Sequence, residues 1–411
     1  MNNWSASMSE WKRLRLGNVA SIKHGYAFKG TDFSDSGPGP RVLTPGNFAI
    51  GGGFKTGKPK YYRGEVPDGF RLNPGDLVVT MTDLSKSGDT LGYPAIIPDE
   101  PGYLHNQRIG LVEINAPQLI DKGFLYYAFR TARYRTHVLA GATGSTVRHT
   151  SPSRILGYTL TAPNLTEQKA IGAALGALDD KIAVNDRLAA TARELGQTHF
   201  RAATSDDDVE ELELGDVTEF LNRGVAPRYS EDQSELPVLN QRCIGGGRAG
   251  TAAARRTLSD NVPSPKLLRV NDVLINSTGI GTLGRVARWT RDEPYTVDSH
   301  ITIVRFDANM ADPVVAGFAV LDAQHEIESL GEGSTGQTEL KRTKLRALRL
   351  GLPSRTGAAQ LRLRLDALER RGDAALEESH ALAELRDTLL PRLMSGELRV
   401  RDAERTVEEA L

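Results

Sequence analysis

The short motifs of this chain occur twice in the same order, and that limits its fold more than any other feature. Leu16-Gly17-Asn18-Val19 returns as Leu214-Gly215-Asp216-Val217, and Val42-Leu43 as Val238-Leu239. Glycine triplets follow the latter pair, at Gly51 to Gly53 and at Gly245 to Gly247. Gly75-Asp76-Leu77-Val78 corresponds to Asn271-Asp272-Val273-Leu274, and Thr90-Leu91-Gly92 to Thr282-Leu283-Gly284. Gly144-Ser145-Thr146 corresponds to Gly333-Ser334-Thr335, and Pro163 to Pro353. From Leu16 to Leu214 the offset is 198, and from Gly144 to Gly333 it is 189, a drift that small loop deletions produce. A period this long belongs to duplicated domains, not to solenoid units.

Each copy ends in a segment of helical pattern. After Pro163, Asn164 can cap a helix, with Glu167 three residues on completing a capping-box-like pair. Apolar residues then recur at three- and four-residue steps: Ile171, Leu175, Leu178, Ile182, Ala189 and Ala192, with Asn185 in the same stripe and Leu188 and Leu195 flanking it. No proline interrupts Thr166 to Ala203, so roughly 38 residues can form a helix about 55 Å long. The second copy repeats this with Leu361, Leu365, Leu368, Ala375, Leu382 and Leu389, and Pro391 is expected to break it. Both stripes read as coiled-coil seams, each the obvious partner of the other, with Asn185 as a register-setting polar residue.

The domain ahead of each helix is built of short apolar runs bounded by Gly, Pro, Asn and Asp. Strands are expected at Asp76 to Met81, Ile109 to Ile114, Asp272 to Asn276, Arg285 to Trp289 and His300 to Phe306. Phe124 to Leu139 and Val314 to Ile327 read as short helices. The expected fold is α+β: two similar α/β domains with two long antiparallel coiled-coil helices. The boundaries are a first domain at 1–160, a helical segment at 161–205, a second domain at 206–352, and a second helical segment and tail at 353–411.

Composition narrows the setting. No apolar run approaches the ~18 residues a membrane span needs, and Met1 to Arg15, with Trp4 and Trp11, lacks the apolar core of a signal peptide. Met8 is an alternative start. The single cysteine, Cys243, excludes an internal disulfide framework and reads as a small buried apolar residue. A cytoplasmic location is expected. The net charge of -1 is low for a nucleic-acid binder, yet the basic residues are clustered. Seven Lys/Arg lie between Arg255 and Arg291 against Asp260, Asp272 and no other acid before Arg291, and six lie between Lys341 and Arg355 with no acid.

Several patterns suggest catalysis and fail on inspection. Gly279-Ile280-Gly281-Thr282-Leu283-Gly284 has dinucleotide-fingerprint spacing, but Arg285 to Trp289 reads as a strand where that motif needs a helix. Gly52 to Lys58 approaches a phosphate-binding loop until Pro59 stands where the magnesium-binding Ser or Thr belongs. Glu167-Gln168-Lys169 and Glu339-Leu340-Lys341 echo a nuclease Glu-x-Lys without a well-placed upstream acid, and Asp298-Ser299-His300 is mere adjacency. The eight histidines show no metal-ligand spacing. No catalytic or metal site is expected.

The same residues carry a family resemblance. Leu214 to Val217, Arg223-Gly224, and Pro237 through Asn240-Gln241-Arg242 to Ile244 resemble the opening of a target-recognition domain in type I restriction-modification specificity subunits. Asn276-Ser277-Thr278-Gly279 through Arg285 resembles the central hairpin of that domain. Pro163 to Ile171, with Leu178-Asp179-Asp180-Lys181-Ile182 and Asn185, is similar to the first conserved spacer, and Leu385 to Leu398 to the end of the second. The second domain fits better than the first, where Met81 to Gly88 replaces the Ser-Thr-Gly hairpin. The resemblance implies a non-catalytic DNA-recognition subunit of a methyltransferase and endonuclease complex. Each domain would read half of a bipartite double-stranded DNA target. The spacers would set the gap and dock two methylation subunits, with restriction-translocase subunits joining afterwards. No cofactor is expected on this chain; S-adenosylmethionine, ATP and magnesium would sit on the partners. Alternatives are the specificity chain of a related methylase-nuclease fusion system and a coiled-coil scaffold that binds no DNA.

Base-edge readers are sought among Arg, Lys, Asn and Gln on loops, because these make paired hydrogen bonds in the major groove. In the second domain the candidates are Arg223, Tyr229, Asn240, Gln241, Arg242, Ser277, Thr278 and Lys341. In the first they are Lys23, His24, Tyr26, Thr82, Lys86, Arg148 and His149. The spacer and docking candidates are Ile171, Leu175, Leu178, Ile182, Asn185, Leu361, Leu365, Leu368, Leu382 and Leu389.

Overall fold

The computed structural model describes residues 11–99, 102–205, 209–332 and 338–411. Gly333-Ser334-Thr335, the second member of one repeat pair, lies outside them, as does Trp4. The chain forms two compact units: Met1–Ala183 with Ser379–Leu411, and Val184–Glu378.

The duplication is topological. In the first unit Ala20–His24, Ile109–Ile114, Leu77–Thr80 and Pro94–Ile96 form an antiparallel sheet in that order. In the second, Thr218–Arg223, Ile301–Phe306, Val273–Asn276 and Val286–Arg288 repeat the order, extended by Gly247–Ala249 and Ile244–Gly245. A smaller sheet follows the same plan in both. Phe33–Ser34, Tyr61–Tyr62, Arg41–Val42 and Tyr103–Leu104 answer to Tyr229–Ser230, Arg255–Thr257, Leu236–Leu239 and Thr296–Val297, each ending in a parallel pair. A two-stranded ribbon completes each domain, Lys12–Arg15 with Thr159–Ala162 and Val209–Glu213 with Arg349–Pro353. The offset is 198 from Ala20 to Thr218 and 190 from Leu165 to Arg355, so residues are lost between the two copies inside the domain.

Leu77–Thr80 and Val273–Asn276 are buried along their whole length, which suits the three apolar residues that begin each strand. One glycine in each copy is fixed by space. A Cβ at Gly25 would lie 2.1 Å from the Asn106 carbonyl oxygen, and one at Gly224 would lie 2.0 Å from that of Val297. The chain crosses its own backbone there, and no side chain fits.

The helical stretches differ in detail from expectation. Phe124 to Leu139 is two helices, Lys122–Ala128 and Ala132–Ala140, because Thr131 caps the second through the Tyr134 amide. Val314 to Ile327 likewise divides into Pro313–Asp322 and Gln324–Ser329. The first long helix runs over Leu165–Ala203, with the Asn164 carboxamide oxygen accepting from the Glu167 amide at 3.0 Å. The second runs over Arg355–Ser395 and is not broken at Pro391. Leu389, Leu390 and Leu393 are buried on both sides of the proline, so packing outweighs the one lost hydrogen bond. Gly396, at φ 75°, ends the helix instead.

Within each unit, stretches of the two long helices lie antiparallel along a seven-residue repeat. In the first unit Ile171, Leu175 and Leu178 share a core with Leu382, Leu389 and Leu393, and the Ser379 hydroxyl donates to the Ile182 carbonyl at 3.4 Å. In the second, Asn185 is buried and donates to Glu378 at 2.8 Å. Small residues follow: a Cβ at Gly372 would meet the Ala189 Cα at 3.6 Å, so the backbones approach closely. Leu361 and Leu365 are buried with Phe200, while Leu368 is half-buried.

Buried ion pairs join each domain to its helices. In the first unit Asp179 accepts from Arg130 and from Arg386, each at 2.6 Å, and from the Tyr127 hydroxyl at 2.7 Å. Burial pushes the Asp179 carboxyl up, but the two guanidinium groups outweigh it and hold the group below the usual carboxylate range. In the second unit the fully buried Arg288 pairs with Glu369, and Arg248 with Asp373.

Two outcomes are expected of the full chain in chemical denaturation. Gly224→Ala should lower stability by about 1–3 kcal/mol through overpacking, whereas Gly176→Ala, in the first long helix with nothing within 4 Å of the added carbon, should raise it by about 0.5–1 kcal/mol. Asp179→Asn should cost about 3–5 kcal/mol at neutral pH, because the buried Arg130 guanidinium loses its carboxylate partner, while Arg386 keeps Asp387. Because the folded-state pKa of Asp179 is depressed, its contribution is present above the unfolded value near 4 and is lost as pH falls through the folded value. The gap between wild type and variant should therefore narrow as pH falls below the unfolded value.

Candidate nucleic-acid interface

In the second unit the candidates gather around the loop that joins Val273–Asn276 to Val286–Arg288. These strands are antiparallel, so the glycine-rich segment between them is a hairpin turn with Gly279, Gly281 and Gly284 at positive φ. Gln241 donates to the Thr278 carbonyl at 2.6 Å and to its hydroxyl at 2.9 Å. The Thr278 hydroxyl also meets His300 Nδ1 at 2.7 Å, and its backbone bridges Glu339. Arg223, at the end of its strand, pairs with Glu339 at 2.6 Å. Lys341 is exposed and pairs with Glu332 at 2.7 Å. One polar surface thus combines Arg223, Gln241, Thr278 and Lys341 with two residues that sequence reading passed over as DNA candidates, His300 and Glu339. Nothing in the sequence signals that pairing, because the partners are 22 and 116 residues away from Thr278 and Arg223.

Other candidates fall elsewhere. Asn240 caps the turn Gln241–Cys243, accepting from the Arg242 amide at 3.0 Å while its own amide donates to the Ala253 carbonyl. It is engaged at both ends of its side chain, whereas the neighbouring Arg242 is exposed. Ser277 has no exposed surface, and its hydroxyl lies 2.5 Å from that of Thr302. It supports the hairpin from beneath and leaves the set of residues able to touch DNA. Tyr229 lies on the smaller sheet, 46% exposed, with the Arg255 guanidinium 3.4 Å from its ring centroid. Arg255 is a further residue missed one by one in the sequence, although it stands in the first basic cluster.

The first unit repeats the arrangement with different residues. Thr82 is buried, with its hydroxyl 3.2 Å from His149 Nδ1, and Thr82–Asp83 pairs with Arg148–His149. The Asp83 carboxylate accepts from the Ser85 amide and from the Thr90 hydroxyl and amide, which fixes the turn. Lys86 is exposed on that turn. Lys23 lies 5.4 Å over the Phe70 ring and donates to the Gly69 carbonyl, Tyr26 packs against Phe28 and Phe70, and His24 is exposed. The first-unit candidates therefore form two groups, one about the hairpin and one about Phe70.

The motifs that suggest catalysis have structural roles. Gly52 to Lys58 is followed by the strand Tyr61–Tyr62, and Glu167 lies on the first long helix. Asp298 accepts from the His300 backbone amide at 2.9 Å, so that contact is a turn. Among the described residues no group of three or more His, Cys, Asp or Glu is placed to hold a metal ion, and no helix is long and apolar enough to cross a membrane.

The geometry defines a class: a duplicated α+β domain, each copy displaying a polar hairpin surface and each packed with stretches of two antiparallel helices. Residues 8–192 match the family described as the type I restriction modification DNA specificity domain. The match falls on the half whose hairpin departs from the Ser-Thr-Gly pattern. A segment of 168 residues, 41% of the chain, is 31% identical to the Type I restriction enzyme EcoBI specificity subunit of Escherichia coli and covers 32% of it. A segment of 179 residues, 43% of the chain, is 27% identical to the Type I restriction enzyme MjaVIII specificity subunit of Methanocaldococcus jannaschii and covers 41% of it. The matched segments span less than half the length of either relative. In fold the chain is similar to the S subunit of a type I restriction-modification system from M. genitalium, with a TM-score of 0.59 over 96% of this chain and 98% of that one at 17% identity. Residues 8–192 are thus similar to the type I restriction modification DNA specificity domain, and the chain shares its fold with a type I S subunit.

The sorting of Asn240 from Arg242 has a direct check. Asn240→Ala should lower stability in chemical denaturation by about 1–2 kcal/mol, since it uncaps a turn and removes the donor to the half-buried Ala253 carbonyl. Arg242→Ala should leave it unchanged.

Proposed function

We propose that the chain is the non-catalytic DNA-specificity subunit of a type I restriction-modification complex. Each unit reads one half of a bipartite double-stranded target through its hairpin surface. The observation that carries this reading is the duplication: two copies of one recognition fold, in a chain of the specificity family, present different side chains on the same hairpin. Two readers of one fold with different surfaces suit a target whose halves differ in sequence. Arg223, Gln241, Thr278, Arg242 and Lys341 serve the second half-site in this reading, and His24, Lys86, Arg148 and His149 the first.

The long helices set the gap between half-sites and dock two methylation subunits, which the restriction-translocase subunits join. S-adenosylmethionine, ATP and magnesium belong to those partners, and this chain binds none of them. The complex works in the cytoplasm, where the host DNA is. Fixed linkage between two readers turns half-site spacing into a geometric constraint.

Methylome sequencing of a host lacking other methylases, with this chain and its neighbouring methylation subunit co-expressed, is expected to show a bipartite methylated motif that vanishes without the chain. Inserting one heptad after Asn185 with a matching heptad between Glu377 and Glu378 adds about 10 Å of helix and should lengthen the unread gap while preserving both half-sites. A stable complex that methylates no new motif would overturn the specificity reading; an unchanged gap would overturn the ruler.

A further inference from the structure

The hairpin of each unit holds two aliphatic side chains and treats them in opposite ways. Leu91 is fully buried, and its counterpart Leu283, 192 residues on, packs against the core of the second unit. Gly92 and Gly284, at φ 81° and 78°, follow them and close the two turns alike. The other member is displayed. Leu84 is 65% exposed and Ile280 is 83% exposed, the latter the most exposed large hydrophobic side chain among the described residues. They are 196 residues apart, the same offset as separates Thr82 from Thr278 and Leu77 from Val273. They therefore occupy one register of the repeat, two residues beyond the threonine that meets a histidine.

Single exposed aliphatic residues are ordinary on protein surfaces. The same register in two copies whose loops otherwise share little sequence is not. Nor is the display a consequence of a loose loop. The Asp83 carboxylate holds the first tip through Ser85 and Thr90. In the second, the Leu283 amide donates to the Gly279 carbonyl at 3.0 Å and Gln241 clamps Thr278. The loops can bury an apolar side chain, since Leu91 and Leu283 are withdrawn. Each keeps one out, on a fixed turn with an arginine in the same hairpin region. Arg148 pairs in backbone with Asp83 while its guanidinium donates to the Gly144 carbonyl, and the Arg285 guanidinium donates to the Gly281 carbonyl, next to Ile280.

We propose that Leu84 and Ile280 are the apolar contacts of the two half-site readers, pressed from the hairpin tips against the base pairs of double-stranded DNA while the hairpin arginines meet phosphates. An aliphatic side chain gains by leaving water against a thymine methyl or a partly opened base step, and it carries no charge to be screened. This rests on the reading of both units as DNA readers. It adds that part of the discrimination is apolar and insensitive to salt.

The test uses the full chain in complex with its methylation subunit. The probes are a duplex carrying the methylated motif and a scrambled duplex, with affinity measured across a salt series. Leu84→Ser and Ile280→Ser should each weaken binding to the motif duplex about tenfold, the loss of one good base contact. Binding to the scrambled duplex and the salt slope should stay unchanged. Val270→Ser, at another exposed aliphatic position of the second unit, should have no effect. Motif affinity equal to wild type in both tip variants, or an equal loss in the Val270 variant, overturns the apolar contact while leaving the DNA reading standing. A wild-type complex with no salt-dependent binding to either duplex overturns the DNA reading and this inference with it.

Discussion

The structure depends on the antiparallel seam between the two long helices. Neither helix could keep its apolar stripe buried alone, and each unit takes a stretch of both to complete its core. The first unit closes over Leu175, Leu178, Leu382 and Leu389, and the second over Leu361, Leu365 and Phe200.

Charge placement refines what the seam provides. Asp179, Arg130 and Arg386 form a buried cluster in the first unit, and Arg288 with Glu369 another in the second. Inside the second domain Arg305 grips Asp272 through two hydrogen bonds of 2.8 and 2.7 Å, although burial still pushes the Asp272 carboxyl upward. Such pairs contribute little net stability, but losing one partner is costly, so they specify which surface of a domain meets which helix face. Asn185 acts similarly within the seam, where its hydrogen bond to Glu378 penalises a shifted register.

The hairpin surfaces are built on a shared scaffold. Four strands of the larger sheet, the smaller sheet, the ribbon and the crossing glycines are common to both copies; the copies differ in the two strands that extend the second larger sheet and in the hairpin residues. The hairpin histidine comes from a different strand in each: His149 from the segment pairing Thr82–Asp83, and His300 from the start of Ile301–Phe306. A fold that tolerates this exchange without moving its threonine can vary its hairpin surface while its core stays fixed.

Much of this was legible in the residues. The ordered motif pairs established duplication, and the apolar periodicity located both long helices to within a few residues of their starts, because patterning is a local property. The sequence also marked the hairpin as a turn, since the glycines at 279, 281 and 284 stand between two β-type runs. Other features depended on distant contacts. Helix continuity through Pro391 needed Leu389, Leu390 and Leu393 buried around it. Ser277 looked like a loop hydroxyl and proved to be a buried partner of Thr302, while Asn240 proved to be a cap. The grouping of Arg223 with Glu339 and of Thr278 with His300 required strands far apart in sequence to become neighbours. Local sequence determined which segments are helix, strand and turn, because those follow from periodicity and backbone freedom; only tertiary structure decided which polar side chains face outward together, because that follows from long-range pairing.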